Sequence, residues 1–339
     1  MTTIENIRAD IPLFARTGIN LASAGLGAQA VSASNEFFAP LERMLQDNAP
    51  VFIPDKFDDN GKWMDGWETQ RRRDGGHDHA VIKLAAPGRI LGFNLDTSHF
   101  TGNYAPACKI EAAHELGATE EDTNWVQILP HKALSASAEH YFSCDSFESW
   151  QYLRLHIYPD GGIARLRVYG VPELDDSSDG EIDLVAALNG GRILAFSDAH
   201  YGDYMRLLAP GRGINMGDGW ETRRRREPGY DWMVLALGAR GVIEKALVDT
   251  CHFKGNYPDR CSIQVADMRN FGDGLTDALV TDSMFWKTLL PETRLQADHE
   301  HLFTELADFG PATHVRFNMF PDGGVSRLRL FGRPVGRPD

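Results

Sequence analysis

The chain has 339 residues and a formal net charge of −14 at pH 7, with 42% hydrophobic and 24% charged residues. These values are typical of a soluble globular protein with room for two domains. The acidic balance disfavours contact with phosphate backbones, so we expect no nucleic-acid partner despite two runs of arginine. The 33 glycines and 17 prolines indicate many turns and favour an all-β protein over a helix bundle.

The four cysteines, Cys108, Cys144, Cys251 and Cys261, show neither a Cys-x-x-Cys pair nor metal-ligand spacing. We therefore expect reduced thiols. The segment Met1–Pro12 has no basic stretch leading into an apolar run, and no 18 consecutive apolar residues occur anywhere. The sequence predicts a cytoplasmic protein that has no membrane partner.

Strand patterns dominate the first half of the chain. After one candidate helix at Phe38–Gln46, apolar runs at Ala80–Leu84 and Arg89–Leu95 predict two short strands. Leu153–Tyr158 alternates between apolar and polar residues, and the Pro-Asp-Gly-Gly that follows predicts a tight hairpin turn before a return strand, Arg165–Tyr169. Several short strands joined by irregular loops predict a β-sandwich or jelly roll.

Three segments of the first half recur in the second half in the same order. Asp218 follows Asp65 by 153 positions (218 − 65), and eight of the nine residues that begin at each are identical. The paired segments are Asp65–Arg73 with Asp218–Arg226, Asp96–Tyr104 with Asp249–Tyr257, and His156–Gly170 with Asn318–Gly332. The last pair is 162 positions apart, so the second copy carries a net insertion of nine residues. We infer an internal duplication.

A repeat of this length predicts two complete domains rather than a solenoid. We assign residues 1–172 to the first repeat and residues 184–339 to the second. Residues 173–183 are acidic, small and polar, which predicts an exposed linker.

The first repeated motif is Asp-Gly-Trp-Glu-Thr followed by a run of arginines. Alternate residues of a strand point to opposite faces, so some guanidinium groups would be buried and would need carboxylate partners. One interpretation is an ion-pair network that ties the fold together. The other is a planar, bidentate clamp for the carboxylate of an anionic substrate.

The second repeated motif, Asp-Thr-x-His-Phe-x-Gly-Asn-Tyr, follows an apolar strand and should form a loop at its end. Histidine suits proton transfer near neutral pH, and asparagine can donate to a carbonyl or an oxyanion. The alternative is a loop stabilised by hydrogen bonds from its own Asp, Thr and Asn side chains.

Three other patterns carry less weight. His77 and His79 resemble a pair of metal ligands, but the second copy has Tyr and Trp there, so we expect the start of a strand and no metal. Cys251 is replaced by Ser98 in the first copy, which argues against a nucleophilic thiol. Gly25-Leu-Gly27 lacks the third glycine of a dinucleotide-binding loop.

The repeated motifs, together with Ser34-Asn-Glu-Phe-Phe, resemble the allantoicase family over about Asn20 to Pro334. The resemblance implies two jelly-roll domains of the galactose-binding type and hydrolysis of allantoate to ureidoglycolate and urea, without a cofactor. Gln70, where the family usually has Arg, and His79-Ala80, where it more often has an aromatic residue with a small one, depart from the pattern.

Expelling one ureido group as urea needs a base for water, a proton for the departing nitrogen and groups that hold the substrate. The candidate base is Glu68 or Glu221, and the candidate acid is His99 or His252. The candidate ligands of the carboxylate and ureido groups are Arg223, Arg225, Arg71, Arg72, Asn256 and Asn103. The sequence leaves open whether one copy is active, both are, or one site forms between them.

Two other classes of function, a carbohydrate-binding module and a structural scaffold, fit the sequence less well. A carbohydrate-binding module would show aromatic stacking platforms, whereas these motifs are charged. A purely structural scaffold would not explain polar motifs at loop positions in both halves. For the assembly we expect a homo-oligomer.

Overall fold

The computed structural model describes residues 2–6, 9–173, 180–269 and 277–335. Its backbone divides into two compact units, Ile11–Glu173 and a second unit of Met1–Asp10 with Leu174–Asp339. Strands make up most of the regular secondary structure of each unit, which confirms the all-β fold with two tandem jelly-roll domains. The first ten residues, which the sequence analysis gave to the first repeat, are grouped with the second because Thr2–Thr3 pairs with the strand Arg192–Phe196. Most of the expected linker, residues 174–179, lies outside the described residues.

The first unit contains one α-helix, Leu13–Thr17, and two 3₁₀ helices, Ala24–Leu26 and Leu41–Leu45. Its strands are Ile19–Asn20, Gln29–Ala33, Phe57–Asp58, Gly61–Lys62, Trp67–Glu68, Asp78–Asp96, Ala107–Ala113, Val126–Ala133, Glu139–Ser143, Ser149–Tyr158, Gly162–Ile163 and Arg165–Pro172. The helix expected at Phe38–Gln46 is confirmed as a single 3₁₀ segment, whereas the helix Leu13–Thr17 was missed because five residues are too few for a 3.6-residue pattern.

The second unit has the same core strands and more helical segments. Its strands are Thr2–Thr3, Ile182–Asp183, Arg192–Phe196, Trp220–Glu221, Asp231–Asp249, Arg260–Ala266, Lys287–Arg294, Glu300–Phe303, Pro311–Phe320, Gly324–Val325 and Arg327–Pro334. Its α-helix is Asp277–Asp282, and its 3₁₀ helices are Ile4–Asn6, Ala187–Asn189, Tyr204–Leu208 and Ser283–Phe285. No helix among the described residues is long and apolar enough to cross a membrane.

One long strand organises each unit. The two strands expected at 80–84 and 89–95 are wrong as separate elements, because Asp78–Asp96 is continuous. Its first part pairs with Gln29–Ala33 and Ser149–Tyr158, and its last part pairs with Glu139–Ser143 and Arg165–Pro172. The strand thus belongs to two groups of strands at once, and its pairing with Ser149–Tyr158 is interrupted around residues 84–87. Asp231–Asp249 plays the same part in the second unit.

The expected hairpin at Pro-Asp-Gly-Gly is also wrong. Ser149–Tyr158 and Arg165–Pro172 do not pair with each other, and both pair with the long strand instead. The residues between them form the short strand Gly162–Ile163, which pairs with Trp67–Glu68 of the first motif. The second repeat has the same pairing between Gly324–Val325 and Trp220–Glu221. The sequence pattern alone predicts a turn between two strands that pair with each other. In the structure, the segment connects two strands that pair mainly with different parts of the long strand.

A buried ion pair lies under the first motif of each repeat. Asp65 accepts a 2.8 Å hydrogen bond from Arg165, whose side chain is fully buried. Asp218 and Arg327 form the matching pair, also at 2.8 Å. Each guanidinium group also donates to backbone carbonyls, so its remaining protons are satisfied. The ion-pair interpretation of the charged motifs therefore holds for these residues.

The repeats differ in one segment on the way to the first motif. Ser34 and Asp65 are 31 positions apart, whereas Ser197 and Asp218, which occupy the corresponding places, are 21 apart. The extra ten residues of the first repeat include the small hairpin of Phe57–Asp58 with Gly61–Lys62. This hairpin has no counterpart in the described part of the second repeat.

Candidate functional site

A carboxylate and an amide meet in both repeats. The Nδ2 atom of Asn103 donates to Oε1 of Glu68 at 2.6 Å, and Nδ2 of Asn256 donates to Oε1 of Glu221 at 2.5 Å. Glu comes from the first motif and Asn from the second, and the two are 35 positions apart in each copy. The sequence analysis named all four residues as site candidates, and the structure pairs them.

The third motif holds each pair in place. The backbone N–H of Gly162 donates to the carbonyl of Asn103, and Gly162 is also the strand partner of Glu68. Gly324 makes the same two contacts with Asn256 and Glu221. A Cβ at Gly162 would lie 2.0 Å from the ring of Phe100, so a larger residue would push the loop away. Pro-Asp-Gly-Gly is therefore the junction of the three motifs, and not only a turn.

Two of the candidate arginines are held by internal carboxylates. Arg72 donates to Asp78 at 2.8 Å, and its own backbone N–H donates to Asp160. Arg225 donates to Asp231 at 2.5 Å, which raises the pKa of that guanidinium group. Each of these aspartates begins the long strand of its repeat. These contacts fit the ion-pair interpretation for Arg72 and Arg225, and leave the other arginines for binding.

The neighbouring arginines point outward. Arg71, Arg223 and Arg224 are exposed, and the run that contains them lies beyond the short strand of the first motif. Arg223 lies 3.8 Å from Asp198 and is 70% exposed. Arg224 forms no hydrogen bond or ion pair within the described ranges. In the second repeat, the guanidinium group of Arg224 can therefore meet an anion, and that of Arg223 can do so at the expense of one long contact with Asp198.

The pocket of the second repeat combines the pair with these guanidinium groups. Its volume is about 600 Å³. The polar side chains of its lining are those of Glu221, Asn256, Arg223, Arg224, Tyr257, Tyr201, Thr222, Asp259 and Asp322. A carboxylate base, an amide and two cations thus share one cavity, as the binding of a small anion with amide groups would require.

The pocket of the first repeat has a different lining around the same pair. It measures about 400 Å³ and contains Glu68, Asn103 and His99, together with Lys62 and Phe52 of the extra segment. No arginine lines it. The Nζ atom of Lys62 donates to the carbonyl of Pro54 and lies over the ring of Phe52, so this cation is already engaged.

The two candidate histidines have the same backbone conformation. His99 and His252 both have φ of 70°, in the left-handed region that only a few non-glycine residues adopt. Nε2 of His99 lies 3.1 Å from the carbonyl of Pro50, and Nε2 of His252 lies 2.9 Å from that of Gly213. A carbonyl can only accept, so Nε2 carries the proton in both rings. His99 lines the Glu68 pocket, whereas His252 does not line the pocket of Glu221.

Burial raises the pKa of two ionisable groups named in the sequence analysis, Glu68 and Cys251. It raises the pKa of Glu68, although the hydrogen bond from Asn103 works in the opposite direction. A raised pKa is what a general base near neutral pH requires. Burial also raises the pKa of the Cys251 thiol, and the charge of Asp249 adds to this effect. A thiol that holds its proton is a poor nucleophile, in agreement with the sequence analysis.

The structure thus brings the predicted site residues together in two partial sets. Glu68, Asn103 and His99 share one pocket, while Glu221, Asn256 and Arg223 share the other. Arg71, Arg72, Arg225 and His252 line neither pocket.

Sequence reasoning missed Arg224 and Tyr257 of the second pocket. No local pattern singled out Arg224, because Arg223 and Arg224 are adjacent, both are exposed, and both lie beyond the strand Trp220–Glu221. Tyr257 is the last residue of the repeated loop motif.

Comparisons with known proteins agree with this architecture. The family model described as the allantoicase repeat matches residues 19–173 and 182–335. A protein of Rhizobium meliloti (strain 1021) named "Probable allantoicase" is 58% identical over 327 residues, covering 95% of this chain and 96% of its own length. Another of that name from Ralstonia nicotianae is 55% identical over the same shares. The crystal structure of allantoicase from Saccharomyces cerevisiae superposes with a TM-score of 0.79 at 35% identity, covering 93% of each chain.

The fold and the site define a duplicated all-β protein in which each jelly-roll domain carries a Glu–Asn pair at the edge of its sandwich. The two matched repeats account for nearly the whole chain, and the identities are far above the level at which a family is in doubt. The chain belongs to the allantoicase family.

Proposed function

We propose that this protein hydrolyses allantoate to ureidoglycolate and urea, and that the pocket of the second repeat is the catalytic one. The observation that carries this proposal is the meeting of Glu221, Asn256, Arg223 and Arg224 in a single cavity. Allantoate is a carboxylate whose α-carbon bears two ureido groups. The cavity offers a base, an amide and two guanidinium groups, which is one partner for each part of that molecule.

The two arginines bind the substrate carboxylate. Arg223 and Arg224 are exposed at the cavity, and a guanidinium group presents two N–H donors in the plane that a carboxylate needs. The Nδ2 of Asn256 is engaged by Glu221, so its Oδ1 is the atom that accepts from a ureido N–H. With its two ends held, the substrate presents its α-carbon to the carboxylate of Glu221.

Glu221 first accepts a proton from water and then donates it to the leaving group. Oε1 of Glu221 accepts the hydrogen bond from Asn256, whereas Oε2 accepts none from the described residues. Oε2 can therefore accept a hydrogen bond from water. The water oxygen bonds to the α-carbon as the bond from that carbon to one ureido nitrogen breaks, and the electron pair goes to the nitrogen. The proton lost by water passes through Glu221 to this nitrogen, urea departs, and the hydroxyl stays on ureidoglycolate.

The histidines have no proton-transfer role in this proposal. His252 lies outside the cavity lining and gives its Nε2 proton to the carbonyl of Gly213. His99 lines the other pocket with its Nε2 proton turned to Pro50. Each ring instead binds a backbone carbonyl, while the histidine itself has a left-handed backbone conformation.

The test is urea release by the purified chain. Allantoate should yield urea and ureidoglycolate, whereas allantoin, whose ring is closed, should yield little or none. Folded protein that releases no urea from millimolar allantoate would contradict the proposed activity. If Glu221→Gln retained full turnover, the activity would stand and the assignment of the site would fail.

We further propose that the protein works in the cytoplasm as a homo-oligomer. All four cysteines are free thiols and three of them are buried, as in proteins of a reducing compartment. Large apolar side chains are exposed at Phe147, Phe285 and Ile214, and a subunit interface would cover such groups. Light scattering coupled to size exclusion would test the assembly, and a mass of one chain at micromolar concentration would contradict it.

A further inference from the structure

A soft donor, an imidazole and a carboxylate meet in the second repeat, at the loop that follows the strand Asp231–Asp249. One ligand atom each from Cys251, His252 and Asp298 lies within 4.8 Å of the others. The thiol is buried, the imidazole is half-buried and the carboxylate is exposed, so an ion could enter from solvent. None of the three lines the cavity of Glu221.

The backbone that carries these groups exists in both repeats. His252 and His99 share φ of 70°, and Asp298 and Ser137 have φ of 50° and 47°. The backbone N–H of His252 donates to Oδ1 of Asp298, and that of His99 donates to Oγ of Ser137. The loop geometry is therefore common to the repeats and is no sign of a ligand. What differs is the set of donors, because the first repeat has Ser98 and Ser137 where the second has a thiol and a carboxylate.

Cys251 and His252 both contact the carbonyl of Gly213, which accepts from the Cys251 Sγ at 3.9 Å. Nε2 of His252 donates to the same carbonyl at 2.9 Å, so the lone pair of the neutral ring is on Nδ1. Metal-binding histidines almost always give their other N–H to a carbonyl or a carboxylate, which fixes the tautomer and the ring. Oδ1 of Asp298 receives the backbone N–H, and its Oδ2 faces Lys254 at 3.9 Å.

The surrounding charges favour a cation. Asp249 and Glu300 add negative charge near the cluster, and Arg212 offsets part of it through a 3.0 Å ion pair with Asp249. Lys254 is 77% exposed and can turn into solvent when an ion arrives. On binding a divalent ion, the Cys251 thiol would release its proton to solvent, and the ion would balance the resulting thiolate and the carboxylate of Asp298 together.

We propose that Cys251, His252 and Asp298 bind one divalent transition-metal ion of zinc type, with a fourth position left to water. Thiolate and imidazole donors select zinc-type ions over magnesium and calcium, which prefer oxygen. The sequence analysis expected no metal because no ligand set occurs in both copies. That reasoning fails for a site that only one copy has acquired. Metal binding here is independent of the proposed hydrolysis, because the Glu221 cavity uses other residues.

The experiment measures metal binding by the full chain, produced without a histidine tag and stripped with a chelator. Titration with Co²⁺ should give one ion per chain and a thiolate-to-cobalt charge-transfer band, and added Zn²⁺ should displace the cobalt. The variants Cys251→Ser and Asp298→Ser install the residues of the first repeat. Each should weaken binding by more than the ~10–100-fold that loss of a supporting hydrogen bond costs, and Cys251→Ser should abolish the band.

Cys144→Ser is the matched control, since it removes a half-buried thiol from the first repeat and should leave binding unchanged. Asp298 is exposed, so Asp298→Ser keeps the test valid even if the change at Cys251 disturbs folding. The proposal is overturned if Co²⁺ up to millimolar concentration gives no charge-transfer band. Equal binding by folded Asp298→Ser and the unaltered chain would overturn it too.

Discussion

The two repeats present the same carboxylate–amide pair in different surroundings. In the second repeat, exposed Arg223 and Arg224 share the cavity with Glu221. In the first, Glu68 shares its cavity with His99 and with an apolar wall supplied partly by a segment that the second repeat lacks. The duplicated parts therefore fix where a reaction could occur, and the residues that differ decide what can bind there.

The residues that are identical in the two repeats mostly support the fold rather than the reaction. The Trp of the motif is fully buried in both repeats, and its indole N–H donates at 2.8 Å to the carbonyl of Asn35 or Asp198. The Thr that follows Glu bonds to the first glycine of Pro-Asp-Gly-Gly in both. An exact repeat of such residues preserves the scaffold. The functional difference lies at the surrounding positions, including Gln70 against Arg223.

The largest expected effect separates the two glutamates. Glu221→Gln should lower turnover by ~10²–10⁴-fold, the usual share of a general base, while its fold persists because glutamine can still accept from Asn256. Glu68→Gln is the matched change in the first repeat and should leave turnover within about threefold of the original. Rates of urea release at saturating allantoate measure both. Equal losses would show that both pockets work, and a loss only in Glu68→Gln would move catalysis to the first repeat.

The next effect concerns the buried ion pairs, one in each repeat. Asp65→Asn leaves buried Arg165 without its counter-charge, which costs ~3–5 kcal/mol of unfolding free energy. Asp218→Asn should cost at least as much, because it removes the counter-charge of Arg327 and a 2.7 Å ion pair with Arg206. Urea denaturation followed by tryptophan fluorescence measures this for each variant. A small loss in one of them would mean that its arginine reaches solvent, and that the two scaffolds are not equivalent.

A smaller effect distinguishes the exposed arginines. Arg224→Ala should raise KM for allantoate by about 10–150-fold, because a hydrogen bond to a charged group contributes ~1.5–3 kcal/mol. Arg71→Ala, at the corresponding position of the first repeat, should leave KM unchanged. Arg224→Lys should recover part of the affinity, since it restores the charge without the planar fork. Similar KM values for the two alanine variants would remove the distinction between the cavities.

The histidines should matter least for the reaction. His99→Asn and His252→Asn should each keep turnover within about threefold, because both rings bond to backbone carbonyls and asparagine tolerates the left-handed conformation. Thermal stability should fall by the ~0.5–1.5 kcal/mol of one hydrogen bond. Turnover and melting curves of both variants decide the point. A hundredfold loss of turnover in either one would restore that histidine as the proton donor.

How much of the structure could be predicted from the sequence depended on how far apart the interacting residues are in the sequence. The strand-rich fold and the loop position of Asn103 follow from patterns within a few residues of each other, and the duplication follows from direct comparison of the two halves of the sequence. The continuity of Asp78–Asp96 does not, because it depends on strands that pair with its two ends and are distant in the sequence, as Ala33 is from Ala80 and Arg165 from Asp96. The role of Arg72 was open for a different reason: Asp78, which accepts from its guanidinium group, is only six positions away, but the sequence does not show that the chain between them turns so that the two side chains meet.

The last prediction uses the pKa of Glu68 to compare stability rather than rate. Burial raises that pKa in the folded protein, so the ionised form is disfavoured by folding. Below the pKa of the unfolded chain the carboxyl is neutral in both states and folding bears no penalty. As pH rises through the folded pKa, the unfolded state gains more from ionisation and stability is lost.

Glutamine at position 68 stays neutral and can accept the same hydrogen bond from Asn103. The melting temperature of Glu68→Gln should therefore match that of the unaltered chain in acid and exceed it at neutral pH, by an amount that grows between the two. Melting curves of both proteins across this range measure the difference, with Glu115→Gln, an exposed carboxylate, as the control that should show no such trend. If Glu68→Gln were the less stable protein at neutral pH, ionised Glu68 would be stabilised by a contact that its hydrogen bond with Asn103 does not supply.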